Sequence, residues 1–194
     1  MWRWLAVMLL LCTGVANPQQ KKEEEERKFP AIDQIQLLLT QSERAFGIYE
    51  QAIEQETQAG GKIAQAVPKD REVLTAARHL LALLKKSPDG FNGPAGFLLV
   101  GNLDDASRNM SICMGTAGLE SGFQVTGGNV SEGQRNLHLA QTCMDASTLL
   151  YTVSETAFNM YSDFLQAHDE MTKSAMSNLE KCVNVLKENQ KQKQ

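Results

Sequence analysis

The chain has 194 residues, 22% of them charged and 6% aromatic, with a formal net charge of −4. That length suffices for one domain with a real hydrophobic core. The acidic balance comes with no clustered lysine or arginine patch, which argues against nucleic acid as a partner.

Residues 1–16 read as a signal peptide. Arg3 supplies the basic start, Leu5 to Cys12 the short apolar run, and Thr13-Gly14-Val15-Ala16 the small residues before a cut. The run is too short to cross a bilayer, which takes about 20 residues. No later stretch reads as an integral membrane segment. Residues 17–29 hold Lys21-Lys22, Glu23 to Glu26 and Arg27-Lys28. Such a run cannot bury a core and is expected to be a disordered charged arm, its dibasic pairs offering processing sites. Residues 30–188 are expected to form the helical domain, and 189–194 a polar tail that resembles neither a lipid-anchor signal nor a retention signal.

The first predicted helix follows Pro30 and runs to about Ala59, with Ile32, Ile35, Leu39, Phe46, Tyr49 and Ile53 at helical spacing. Gly60-Gly61 ends it. The second runs from about Lys69 to Lys86 on Val73, Ala77, Leu80, Leu81 and Leu84, and Ser87-Pro88-Asp89-Gly90 stops it. Four glycines and Pro94 between Ser87 and Asn102 then predict a long Gly-rich crossover loop around Phe97, Leu98, Leu99 and Val100. That apolar cluster either plugs one end of the fold or serves as an interaction loop. No phosphate-binding glycine fingerprint occurs there.

The third predicted helix starts at Asn102, with Asp104 and Asp105 in its first turn, and reaches about Glu120. Gly115 and Gly118 weaken it and would suit a close helix–helix approach. The last helix starts at Ser131, where Ser131 and Gln134 fit a capping box. Its seam is Cys143, Ala146, Leu150, Val153, Ala157, Met160, Phe164, Ala167 and Met171, at the alternating steps of three and four of a coiled coil. A second row, Leu149, Phe158, Tyr161 and Leu165, widens that face. The phase slips after Met171, and a helix of this length would span roughly 80 Å at ~1.5 Å per residue. It is therefore expected either to kink near His168–Asn178 or to protrude and pair with another chain. The pattern as a whole predicts an all-α protein: an up-and-down four-helix bundle with a long C-terminal helix.

Two glycosylation sequons, at Asn109 and Asn129, agree with a secretory route. Asn129 lies in a Gly-rich turn; Asn109 falls on a helix. Cys113 and Cys143 straddle that turn evenly, on the seams of two helices expected to form an antiparallel hairpin, and are expected to form a disulfide. Cys182 is then the odd cysteine, either a free thiol or a bond to another chain. Three cysteines this far apart lack metal-ligand spacing, so neither a metal site nor a cofactor is expected.

His79, His138 and His168 stand in no catalytic motif, and Asp163 and Asp169 read as solvated. No enzyme is expected and no catalytic residue is assigned. The function expected is that of a secreted glycoprotein acting by protein–protein contact, as a signalling ligand or a subunit of an extracellular complex. Its partner would be an extracellular protein or receptor, with a homodimer through Cys182 as one form. The alternative is a carrier, extracellular or in the endoplasmic reticulum lumen, for a lipid or other apolar ligand lined by the methionines.

Overall fold

The computed structural model describes residues 30–191. The predicted leader and charged arm, residues 1–29, and the end of the tail lie outside the described residues. The chain is all-helical: α1 (Ile32–Ala59), α2 (Val67–Lys86), α3 (Pro94–Thr126) and α4 (Val130–Lys191), with short 3-10 turns at Ile63–Gln65 and Pro88–Asn92. Among the described residues there is no strand.

Pro30–Tyr161 form one packed unit. α1 contributes Ile35, Leu38, Leu39, Phe46, Tyr49 and Ile53 to its core; Ile32 is exposed. The helix stops where Gly60 takes φ 70°, a left-handed conformation that favours glycine. α2 returns antiparallel to α1, as three cross-links show. Glu43, Glu50 and Thr57 stand seven residues apart and meet Lys85, Arg78 and Arg71, also seven apart. Two helices whose contacts advance by seven residues are packed in the manner of a coiled coil.

The Gly-rich crossover is not a loop. α3 begins at Pro94, eight residues before the expected start, and takes in Phe97 to Val100. Proline at the first helical turn loses no hydrogen bond and has its φ already set for the helix. The preceding five-residue 3-10 turn buries Phe91, and the backbone there passes so close that a Cβ on Gly96 would lie 1.9 Å from the Phe91 carbonyl oxygen. Gly96 thus permits contact between turn and helix rather than marking a long loop. The far end of α3 also exceeds the expectation, reaching Thr126 instead of Glu120.

α3 and α4 run antiparallel. Ser154 donates to the Val100 carbonyl, Ser107 to the Ser147 carbonyl and Ser121 to the Gly133 carbonyl, at steps of seven and then fourteen residues on each helix. Near the turn a Cβ on Gly133 would meet Val125 Cγ2 at 2.5 Å, so glycine is what lets the two helices close there. The cap of α4 is Asn129 and not Ser131. Asn129 Oδ1 accepts the Glu132 backbone N–H at 3.4 Å, and the two side chains bond at 2.7 Å.

Cys143, Ala146, Leu150, Val153 and Ala157 of α4 are buried, and Met160 packs against the core. Of the second row, Leu149 and Tyr161 pack on the core while Phe158 and Leu165 are exposed, so the apolar face is narrower than its sequence pattern.

The stretch from Ser162 onward is assigned to a second unit. It is helical to Lys191 with no break at His168–Asn178, and includes the first residues of the expected tail. Lys173 pairs with Asp169 at 2.6 Å, Phe164 packs on the His168 ring, and Met171, Met176 and Leu179 are exposed. The weak helix formers there stay helical because propensity differences of a few tenths of a kcal/mol per residue are small beside the cooperative loss of breaking a helix.

Candidate functional site

Two features of Pro30–Tyr161 depart from what a plain helical core requires. The first is a buried polar cluster. Glu56 of α1 and Asp70 of α2 are both 0% exposed. Each sits in the phase of its helix's core face: Tyr49, Ile53, Glu56 on α1 and Asp70, Leu74, Ala77 on α2. Tyr49 donates its hydroxyl hydrogen to Asp70 Oδ1 at 2.9 Å, and Asn109 of α3 donates to the Tyr49 oxygen at 3.4 Å. Neither Glu56 oxygen, nor Asp70 Oδ2, has a donor among the described residues. None of the buried polar side chains described is basic.

Two carboxylates in a core with no cation cannot both stay ionised. Burial, followed by the charge of Asp70 and a hydrogen bond to it, pushes the Glu56 carboxyl up to about 8. Burial also raises Asp70, while the hydrogen bonds from Tyr49, Glu56 and Asn109 pull it back. Glu56 therefore holds the proton and donates it to Asp70, which leaves the second Glu56 oxygen without a donor among the described residues. Burial, against a lowering hydrogen bond from Asn109, pushes the Tyr49 hydroxyl far above its ordinary value, so it acts only as a donor to Asp70.

The cluster abuts the disulfide between Cys113 and Cys143, whose Cα atoms are 6.0 Å apart. A Glu56 carboxylate oxygen and the two sulfurs all lie within 4.8 Å of one another, and all three residues are buried.

The second feature is on the surface of α4. Leu137, Met144, Tyr151 and Phe158 are exposed by 61, 41, 58 and 58%. They stand exactly one heptad apart in sequence, a spacing that a 3.6-residue helix turns into a slowly winding stripe.

The sequence-predicted residues are distributed as follows. Asn109 is 6% exposed and belongs to the polar cluster, so a glycan on its Nδ2 would have to pull it out of the core. Asn129 is exposed at the α3–α4 turn. Leu99 is fully buried and Val100 half-buried, while Phe97 and Leu98 face out from α3, so the four do not form one docking loop. Phe97 packs on Tyr161 with ring centroids 6.2 Å apart. Cys182 falls on α4, and its side chain lies outside the described residues.

His79, His138, His168, Asp163 and Asp169 are all exposed. Of the methionines, Met110 is in the core, whereas Met114, Met144, Met171 and Met176 are exposed. A cleft of about 330 Å³ lies between α1 and α4, lined by Gln55, Gln58, Arg135, Asn136 and His138 among others. Another, of about 290 Å³, lies between α1 and α2 beside Glu43, Arg78 and Lys85. Both have charged or amide walls and neither is lined by a methionine or by Phe97 to Val100.

Sequence reasoning passed over Glu56, Asp70 and the heptad row. All three were signalled by phase: the acids stand where the core stripe demands an apolar residue, and the row stands where a solvent face demands a polar one. No protein-family model, curated protein or solved structure matches this chain.

Proposed function

We propose that this chain is a secreted, non-catalytic protein of up-and-down four-helix-bundle type that acts by docking a helix of an extracellular protein partner along α4. The observation that carries the reading is the exposed row Leu137, Met144, Tyr151 and Phe158. A seven-residue apolar repeat is the signature of a partner helix wound left-handedly around its mate. Water-facing aromatic and methionine side chains in such a row are a liability without a partner, and aromatics are the side chains that most often anchor an interface.

The glycines of α3 support the same reading. Among the described residues, nothing beyond the local helix backbone lies within 4 Å of where a Cβ would stand on Gly101, Gly115, Gly118 or Gly122. Glycine costs a helix interior about 1 kcal/mol relative to alanine, and among the described residues no close approach offsets that here. The antiparallel ladders of α1 with α2 and of α3 with α4 support the up-and-down arrangement. A core disulfide suits an oxidising compartment, and a glycan at exposed Asn129 suits the secretory route. No helix among the described residues is long and apolar enough to cross a membrane.

The test is the native size of the chain in the medium of cells that produce it. Wild type should elute as an assembly, and a variant carrying Tyr151→Glu and Phe158→Glu should elute at the monomer mass. A wild-type chain eluting at the monomer mass would contradict the docking reading.

A further inference from the structure

We infer that the cleft between α1 and α4 binds a small organic acid, its carboxylate held by Arg135 and the amides of Asn136, Gln55 and Gln58, its apolar body laid on Ala59 and Leu139. The space measures about 330 Å³, at the lower end of the range that ligand pockets occupy. Gln55, Gln58 and Ala59 are spaced at three and four residues on α1, and Arg135, His138 and Leu139 likewise on α4. Each helix therefore turns one edge to the gap.

Asn136 carries the inference. It is 4% exposed, yet no side chain or carbonyl among the described residues bonds to its amide. Burying an unbonded amide is unfavourable, and an apolar residue would fill the same place without that penalty. The side chain lines the cleft, so its N–H and oxygen meet whatever occupies the space.

Charge selects the ligand. In a chain of net charge −4, no aspartate or glutamate is among the described residues that line the cleft, whereas Arg135 is. Arg135 meets Glu132 through one nitrogen at 3.3 Å, on the exposed side. A long, solvated pair of that kind contributes little. The guanidinium keeps further N–H donors, whose fork matches the two oxygens of a carboxylate. The side chains of Gln55, Gln58 and His138 make no bond to another described residue and can donate to the same anion. Ala59 packs against the core and Leu139 is buried in it, which leaves an apolar floor for the rest of the ligand. The site is independent of the docking row, since Leu137, Met144, Tyr151 and Phe158 do not line it.

The experiment follows the side-chain amide resonances of the isotope-labelled, oxidised full chain, with benzoate and hexanoate as probes and benzamide as the neutral control. The Asn136 amide should shift saturably with at least one of the two acids, at a dissociation constant of about 1 mM or tighter. Benzamide offers no charge to Arg135 and should bind at least about tenfold more weakly than benzoate. Arg135→Gln should weaken the acid by a similar factor with helix content unchanged. Arg78→Gln, in the cleft between α1 and α2, should leave the affinity as it is. Asn136→Leu should remove binding; if that variant does not fold, the Arg135→Gln comparison decides. The inference is overturned if neither acid gives saturable shifts up to about 10 mM, if benzamide binds as well as benzoate, or if Arg135→Gln leaves the affinity unchanged.

Discussion

Glu56 and Asp70 occupy positions that the helical phase reserves for apolar side chains, and their protonation ties the core to pH. The folded chain holds a proton on Glu56 up to about pH 8, whereas the unfolded chain releases it near 4.5. The folded state therefore binds more protons between those values, and stability falls as pH rises through that window. The contribution is fully present below the unfolded value and lost above the folded one. Denaturation of the oxidised chain at several pH values should show a midpoint that drops from pH 5 to pH 9. Glu56→Gln, which mimics the protonated acid, should flatten the profile and be the more stable form at pH 9. A wild-type midpoint independent of pH would contradict the shared proton.

Tyr49→Phe belongs to the same scale. It removes the hydroxyl that donates to Asp70 Oδ1 at 2.9 Å and should cost about 1–3 kcal/mol, the penalty of weakening a buried acceptor's hydrogen bonding, in urea unfolding. Glycopeptide mapping of the secreted chain should find Asn129 occupied and Asn109 bare, because only the first presents its amide to solvent.

At the scale of elements, both ends of α1 and α2 and the start of α4 were legible to within two residues, since Pro30, Gly60-Gly61, Ser87-Pro88 and the Gly127-Gly128 turn punctuate a clear apolar period; the end of α4, which no such signal marks, lies three residues beyond the expected 188. α3 was misjudged at both ends. Glycine density around Phe97 to Val100 looked like a loop, but Gly96 makes room for the Phe91 carbonyl and Pro94 is a helix starter. Local composition cannot distinguish a glycine that bends the chain from one that lets another backbone come close.

The remaining glycines of α3 make a separate prediction. With open space at each Cβ position, Gly115→Ala and Gly118→Ala should each raise stability by about 0.5–1 kcal/mol in thermal or urea unfolding. A loss of stability would mean that something in this chain does fill that space.

On the scale of the whole molecule, an all-helical chain could be read from periodicity, but the candidate sites could not, because they arise from juxtaposition. Cys113 and Cys143 could be related through the symmetry of a hairpin turn; Glu56, from another helix, could not be placed beside them by any spacing rule. The disulfide closes a loop of 30 residues, and replacing both cysteines by serine should lower stability by about 3.5 kcal/mol at neutral pH, read from chemical denaturation. The outer row of α4 was hidden for the opposite reason. Phe158 was taken into the core face by its spacing, and Leu137 and Tyr151 had no neighbour in sequence to mark them as a stripe.

The central claim is that this row receives another helix. The most direct measurement places a photo-crosslinking amino acid at Tyr151 in the producing cell, with Arg108 of α3, exposed and off the row, as the control position. The account predicts one discrete protein adduct from position 151 and none from 108. No adduct from position 151, or equal labelling from both positions, would contradict it.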